Sequence, residues 1–247
     1  MALPRPARIS ASALLDLWEQ GEAYHSLDQA LLVLERAYPA ITREELAAYS
    51  IGRRDRLLLQ VHCNLFGDRI DGCVACPSCG TKLEFGLSCS ALAEPRGDDH
   101  PVKRTVQCGG GEWEVRPPNS RDLAAVANQP DVQIARQMLL ARCVASVVPA
   151  QEQTSALPPD TQRVLEAELA TLDPHAEVFI DLSCQACAHS WQTLFDIASF
   201  LWSEIRTKAR RLLQEVDVLA RAYGWTQHDI LTLSPTRRSW YVQMALS

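Results

Sequence analysis

Apolar residues recur every three or four positions along the first 68 residues, a spacing that places them on one face of an α-helix. A leucine-rich run covers residues 27–38, and a second apolar stripe covers residues 53–66 and ends at Gly67. Capping signals precede these runs. Either Ser10 or Ser12 suits the start of the first helix, and Thr42 with Glu45 forms a capping box. The N-terminal part of the chain is therefore predicted to be a succession of helices.

Alternating apolar and polar residues, the pattern of β-strands, replace this periodicity after residue 69. The predicted strands cover residues 69–74, 82–87, 103–107, 112–116, 177–182 and 189–195. Three consecutive glycines at 109–111 predict a hairpin between the third and fourth strands. A stretch rich in Pro, Gly and Asp at residues 94–100 is predicted to be a surface loop.

Helical periodicity fills the remaining segments. Ser120 is predicted to cap a helix from Arg121 onward, and two further helices, at 131–147 and 161–172, flank a polar linker at 149–159. An apolar stripe then runs from residue 201 to Tyr223, where Gly224 ends it. A short helix is predicted to follow, with a capping box at Thr226–Asp229, and a final helix is predicted to start at Ser234 and Pro235.

The order of these elements predicts an α+β fold. Helix-rich N- and C-terminal segments are expected to surround a small antiparallel β part that a helical insertion divides. The expected regions are an N-terminal helical region at 1–68, a β part at 69–118 and 176–198, the helical insertion at 119–175, and a C-terminal helical region at 199–247.

Two cysteine pairs identify the candidate chemistry of the β part. Cys76 and Cys79 are separated by two residues, as are Cys184 and Cys187, and each pair lies just before a predicted strand. Two such turns provide the four thiolates of a tetrahedral Zn²⁺ site, and a closed set of four leaves no coordination position for catalysis. Gly80 supports this interpretation, because the residue after such a turn often needs a positive φ. The β part is therefore predicted to be a zinc ribbon whose structural Zn²⁺ joins both ends of the insertion. Removal of the metal is expected to loosen residues 76–187.

Several alternatives to this ligand set remain open. Cys73 precedes Cys76 by three residues and forms a second possible pair with it, and His189 is a candidate to replace one thiolate. Ala188 stands where the second pair would be expected to have a glycine. The pairs would also be compatible with a vestigial site whose cysteines pack as small apolar residues.

Thiol-redox chemistry is a further alternative, but it usually needs the cysteine pair at a helix N-terminus. Here both pairs lead into predicted strands. Cys63 and Cys143 lie on predicted helices and are expected to be core residues, and the odd total of nine cysteines argues against a disulfide scaffold. No catalytic arrangement of serine, histidine or paired carboxylates and no phosphate-binding loop can be defended from spacing, so no catalytic residue is predicted.

The composition narrows the class of protein further. The 247 residues suffice for one or two domains, and the net charge of −6 argues against broad binding to nucleic acid. No run of 18 apolar residues is present, and the first residues lack the apolar core of a secretion signal, so we expect a cytoplasmic protein without a membrane span. The main alternative function is a zinc-ribbon regulator that binds nucleic acid through Lys208, Arg210 and Arg211.

One C-terminal feature suggests a protein contact. Arg237 and Arg238 lie beside Trp240 and Tyr241, and arginine and aromatic residues are enriched at protein interfaces. The simpler interpretation is a terminal helix that packs on the protein's own core.

Several segments in order carry a resemblance to a known family. They are residues 14–21 (LLDLWEQG), 27–34 (LDQALLVL), 52–55 (GRRD), 65–67 (LFG), 76–80 (CPSCG), 83–85 (LEF), 118–123 (PNSRDL), 219–225 (LARAYGW), 229–235 (DILTLSP) and 237–238 (RR). Together they resemble the T4-type phage baseplate proteins of contractile phage tails and phage-tail-like injection systems.

The resemblance covers nearly the whole chain. It implies a non-enzymatic component or assembly factor of the baseplate or its hub, with baseplate, hub or tail-tube proteins as partners and no small-molecule substrate. The family's cysteine pairs map onto Cys76, Cys79, Cys184 and Cys187, and the resemblance supplies no catalytic residue.

Overall fold

The computed structural model describes residues 4–94, 103–147 and 157–247. The helices are α1 (Ala11–Gly21), α2 (Ser26–Ala37), α3 (Arg43–Ala48), α4 (Ile51–Phe66), α5 (Cys89–Ala93), α6 (Ser120–Val126), α7 (Val132–Cys143), α8 (Pro159–Leu172), α9 (Ile197–Tyr223), α10 (Gln227–Thr232) and α11 (Pro235–Leu246). The strands are β1 (Arg69–Ala75), β2 (Lys82–Ser88), β3 (Arg104–Cys108), β4 (Gly111–Val115), β5 (Val144–Ser146), β6 (Phe179–Ser183) and β7 (Ser190–Leu194). The predicted α+β class is confirmed.

Helices from both ends of the chain share one apolar core. Leu17 of α1, Leu34 of α2 and Leu57 of α4 are fully buried in the same cluster as Ile205 and Leu212 of α9. Burial of one leucine or isoleucine side chain contributes about 1.5–3 kcal/mol relative to leaving it in water. The N- and C-terminal helical segments therefore stabilise each other.

Local sequence signals position most helix ends as expected. Of the two serines, Ser10 caps α1, where its Oγ accepts a hydrogen bond from the amide of Ala13 at 3.2 Å. The capping boxes of Thr42 with Glu45 and of Thr226 with Asp229 are both present. At the start of α6, however, Asn119 and not Ser120 is the cap. The Asn119 side chain accepts from two backbone amides, and Ser120 is already helical and buried.

All strand pairings within the described ranges are antiparallel and form three small sheets: β1 with β2, β3–β4–β5, and β6 with β7. The four predicted hairpin strands around Cys76, Cys79, Cys184 and Cys187 are present. The prediction of one helix over 131–147 was wrong, because α7 ends at Cys143 and the next three residues pair with β4. Val144 lies opposite Val115 in that pairing, and a β-branched residue favours the extended backbone of a strand over a further helical turn.

The middle sheet shares a second, smaller core with α7 and α8. Trp113 and Val115 of β4 pack with Leu140 of α7 and with Leu165 and Leu172 of α8. The predicted loop at 94–100 lies outside the described residues except for Glu94, and the predicted linker at 149–159 lies outside them except for its last three residues.

Both cysteine-bearing hairpins begin at the large helical core. Ile70 at the base of β1 is fully buried in that core, and Ile197, just after β7, is buried in it as well. The hairpins therefore project from a common base and carry their turns at the far ends. No helix of the described ranges combines the length and apolar character needed to cross a bilayer.

Candidate metal centre

The turn between β1 and β2 forms the first cysteine knuckle, residues 76–81. The amide of Gly80 donates to the carbonyl oxygen of Cys76 at 2.9 Å, and the amide of Cys76 donates to the carbonyl oxygen of Thr81 at 2.9 Å. Gly80 has a φ of 74°. Gly80 therefore has the positive φ that the sequence predicted, a conformation that glycine adopts easily because it has no Cβ.

The turn between β6 and β7, residues 184–189, repeats this pattern. The amide of Ala188 donates to the carbonyl oxygen of Cys184 at 2.9 Å, and the amide of Cys184 donates to the carbonyl oxygen of His189 at 2.8 Å. Ala188 has a φ of 56° and is the only non-glycine residue with a positive φ in the described parts of the chain. The second turn therefore keeps the hydrogen bonds and the positive φ of the first, although Ala188 stands where the first turn has a glycine. The alanine adopts the left-handed conformation at an energetic cost.

The two knuckles bring four thiols together. Cys76 Sγ lies 3.7 Å from Cys187 Sγ, and Cys79 Sγ lies 3.6 Å from Cys184 Sγ. All four sulfur atoms lie within 4.8 Å of one another. A tetrahedron with Zn–S distances of about 2.3 Å has sulfur–sulfur edges of about 3.8 Å, so the spacing of this donor set fits a four-thiolate metal site.

The turns and the neighbouring thiols shift the pKa values of two of these cysteines in opposite directions. Hydrogen bonds with the side chain and backbone of Thr81 lower the pKa of Cys79 to about 6. The backbone of His189 acts to lower the pKa of Cys187, but the neighbouring thiols, Cys79 first, outweigh it and raise that pKa to about 11. Neighbouring thiolates repel one another, so all four thiols could ionise only with a cation among them, and a metal ion would supply that charge.

The neighbouring ligand candidates lie outside this group of four. Neither Cys73 nor His189 belongs to the cluster. Cys73 is an exposed strand residue opposite Glu84, and the ring of His189 stacks on Trp191 with a centroid distance of 5.7 Å.

The remaining helical cysteines have the properties of core residues. Burial raises the pKa of Cys63 and raises that of Cys143 to about 11. Cys89 is fully buried and its Sγ donates to the carbonyl oxygen of Leu59 at 3.0 Å. These thiols are therefore poor nucleophiles. Both knuckles lead into strands, β2 and β7, so neither cysteine pair lies at the helix N-terminus that thiol-redox chemistry usually needs.

The basic segment of α9 is partly neutralised by neighbouring acids. Arg206 pairs with Glu22 at 3.3 Å, and Arg211 pairs with Glu215 at 3.1 Å. Lys208 and Arg210 remain without an ion pair among the described residues. Two free cations on an acidic chain do not favour a nucleic-acid site, which needs many phosphate contacts.

The sequence did not predict a buried polar junction at the start of α4. Asp173, at the end of α8, accepts a hydrogen bond from the amide of Gly52 at 2.8 Å, and Ile51 donates to the carbonyl oxygen of Pro118 at 3.1 Å. The only signal was the run at residues 52–55, which contributed to the family resemblance but has no recognisable chemistry by itself. This junction ties Pro118 and Asp173, at either end of the predicted helical insertion, to the start of α4.

Comparisons with known proteins give one family match. The model of a family described as T4 bacteriophage base plate protein matches residues 28–202, a range that contains all four clustered cysteines. No curated protein and no solved structure matches the chain significantly.

Proposed function

Since the chain belongs to the T4 bacteriophage base plate protein family, we propose that it is a non-enzymatic component or assembly factor of the baseplate or hub in a contractile phage tail or phage-tail-like injection system. A baseplate protein acts by contacts with other baseplate proteins. We propose hub, tail-tube or other baseplate proteins of the same system as its partners, with the protein made in the cytoplasm and available there for assembly. The family match carries this proposal.

The metal site is proposed to be structural. Cys76, Cys79, Cys184 and Cys187 would hold one Zn²⁺ as thiolates, and the ion would supply a fixed link between the two hairpins. Four protein ligands complete a tetrahedral site, so no position is left for water or substrate. The chain's own contribution is to pre-form both turns through the backbone hydrogen bonds of Gly80 and Ala188.

The proposed organisation follows from this link. Residues 69–118 and 176–198 would form the ribbon and β part, residues 119–175 the helical insertion, and residues 1–68 and 199–247 the helical regions. The shared core of α1, α2, α4 and α9 supports a single helical base that presents the hairpins.

The first experiment measures the metal and its effect together. We expect purified wild-type protein to contain about one zinc per chain by elemental mass spectrometry, and the double variant Cys76→Ser/Cys79→Ser to contain none. In the host, the double variant should fail to yield intact tail particles. Cys73→Ser is the matched control, because Cys73 is exposed and lies outside the cluster. Normal particle yield from the double variant would refute the structural role of the metal.

The second experiment tests the partners. Tagged protein captured from its native host after nuclease treatment should retain baseplate, hub or tail-tube proteins, identified by mass spectrometry. Detection of the chain in purified particles would then identify it as a component of the particle. Its absence there would identify it as an assembly factor. Recovery of nucleic acid alone, lost at high salt, would instead favour a regulator.

A further inference from the structure

A groove of about 610 Å³ lies between α7 and α8 and is open to solvent. Its lining is mainly apolar and includes Leu139, Leu140, Leu169 and Phe179. Phe179 is 54% exposed although it belongs to a strand. Helix α7 buries only Leu140 and Cys143 against the rest of the protein. A continuous apolar surface of this kind on a water-soluble fold usually marks a site of protein contact.

The α8 side of the groove is acidic. Glu166, Asp173 and Glu177 line it, and residues 157–181 contain six acidic residues but only one basic residue, Arg163. Glu166 pairs with Arg136 across the groove, and Asp173 is buried and accepts from the Gly52 amide. The exposed Glu177, by contrast, has no ion pair within the described residues. A ligand for this groove should therefore combine apolar side chains with positive charge.

Helix α11 presents a surface that combines apolar side chains with positive charge. Its inner face packs on α9, where Arg238 is buried and Tyr241 lies in a cluster of aromatic rings. Its outer face presents Arg237, Trp240 and Met244, at the spacing of one helical face. Trp240 is 63% exposed and Met244 is 54% exposed. Nothing in the described parts of the chain covers this face.

The charges of the two surfaces are complementary. Helix α11 contains two arginines and no acidic residue, and residues 199–247 contain seven basic and four acidic residues within a chain whose net charge is −6. Arg237 has no ion pair among the described residues. A contact between two α11 faces would bring two basic surfaces together, which is electrostatically unfavourable.

We propose that the outer face of α11 from one copy of this chain docks in the α7–α8 groove of a second copy. Trp240 and Met244 would supply the apolar anchors, and Arg237 would approach the acidic side of the groove, where Glu177 is free. This is the recognition of an amphipathic helix by an apolar groove. Because the two surfaces differ, each single contact is heterologous. Repeated contacts generate a reciprocal pair, a larger closed ring or an open filament, according to the rotation between copies.

Two variants at exposed positions test the contact in the 247-residue chain, purified with zinc in the buffer. Trp240→Ala removes the central anchor of α11, and Ala170→Trp fills the groove from α8. Sedimentation equilibrium should show concentration-dependent association of the wild type. Each variant should associate at least about thirtyfold more weakly, as expected for the loss of an interface hot spot.

Mixing the two variants gives the decisive result. The Trp240→Ala chain keeps its groove and the Ala170→Trp chain keeps its helix, so one intact contact is available and a 1:1 heterodimer should form. Tyr24→Ala, which removes a 43%-exposed aromatic side chain from outside both surfaces, should associate like the wild type. Circular dichroism and thermal unfolding would verify that all variants are folded.

A wild-type chain that remains monomeric at its highest soluble concentration would overturn the contact, as would a mixture of the two variants that stays monomeric. Neither result would affect the baseplate role or the metal site, because both are tested by different measurements. Association that Trp240→Ala leaves unchanged would also place the interface elsewhere and overturn the proposal.

Discussion

The second cysteine knuckle carries a strain that one substitution should relieve. Ala188 has a φ of 56°, in the region that glycine adopts freely and alanine does not. A left-handed backbone costs an L-residue about 1–2 kcal/mol. Against this, a glycine adds freedom to the unfolded chain and loses about 0.4–1 kcal/mol on folding. The difference predicts that Ala188→Gly stabilises the protein by about 1 kcal/mol.

The first knuckle offers the reciprocal test. Gly80 has a φ of 74°, and a Cβ added there would have no atom within 4 Å, so Gly80→Ala introduces backbone strain without a steric clash. The same two terms then apply with opposite signs, and the variant should lose about 1 kcal/mol. The pair of substitutions thus separates backbone conformation from packing.

Equilibrium unfolding in urea at a fixed free zinc concentration measures both changes. Because binding of the proposed Zn²⁺ would be coupled to the folded knuckle, about 1 kcal/mol corresponds to roughly a fivefold change in zinc affinity in a competition assay. Ala186→Gly is the control, since Ala186 lies in the same turn without a positive φ and should be destabilised by glycine. If Ala188→Gly were destabilised as much as Ala186→Gly, the assigned strain would be refuted.

Three other substitutions probe the packing. Arg238 is 3% exposed and pairs with Glu215 at 2.6 Å, so Arg238→Ala should lower the unfolding free energy by about 2 kcal/mol, because it removes a buried side chain and leaves Glu215 with only its exposed partner Arg211. Gly52→Ala would place a Cβ 2.1 Å from Asp173 Oδ1 and should cost about 1–3 kcal/mol through the displaced insertion, measured by thermal unfolding. Burial raises the pKa of Asp55 to about 6 from its ordinary value of 3.8, so the unfolding free energy should rise as the pH falls through 6. Asp55→Asn should flatten that rise in urea titrations at several pH values.

Matched controls make these results interpretable. Arg237→Ala removes an exposed arginine from the same helix and should change the unfolding free energy little, so equal losses at 237 and 238 would contradict the ion-pair argument. Gly86→Ala meets its nearest atom at 3.6 Å, an ordinary contact, and should be tolerated better than Gly52→Ala. An unchanged pH dependence in Asp55→Asn would show that another group titrates.

Local signals were sufficient for much of the fold. The spacing of Cys76 with Cys79 and of Cys184 with Cys187 predicted the two turns, because a pair of cysteines and the following residue define the conformation within six positions. The capping boxes and Gly224 succeeded for the same reason, since each cap bonds to backbone groups within one helical turn.

Features that depend on distant partners could not be predicted in this way. Residues 144–146 form a strand only because β4 offers an edge to pair with, and the helical periodicity of residues 131–147 contains no sign of that edge. The burial of Arg238 depends likewise on Glu215, 23 positions earlier on another helix. Nor did the sequence indicate that Asp173 would accept the amide of Gly52 across 121 positions.

The junction at α4 changes the expected effect of removing the proposed metal ion. The sequence predicted that loss of the ion would loosen residues 76–187, because the knuckles alone were expected to close that long loop. The fold adds a second closure, in which Asp173 and Pro118 hold the ends of the insertion to Gly52 and Ile51. Chelation should therefore release the knuckles while the insertion stays docked. In hydrogen exchange, the amides of Gly80 and Ala188 should lose protection in the chelated protein, and the amide of Gly52 should keep it. Equal loss at all three amides would mean that the metal alone holds the insertion in place.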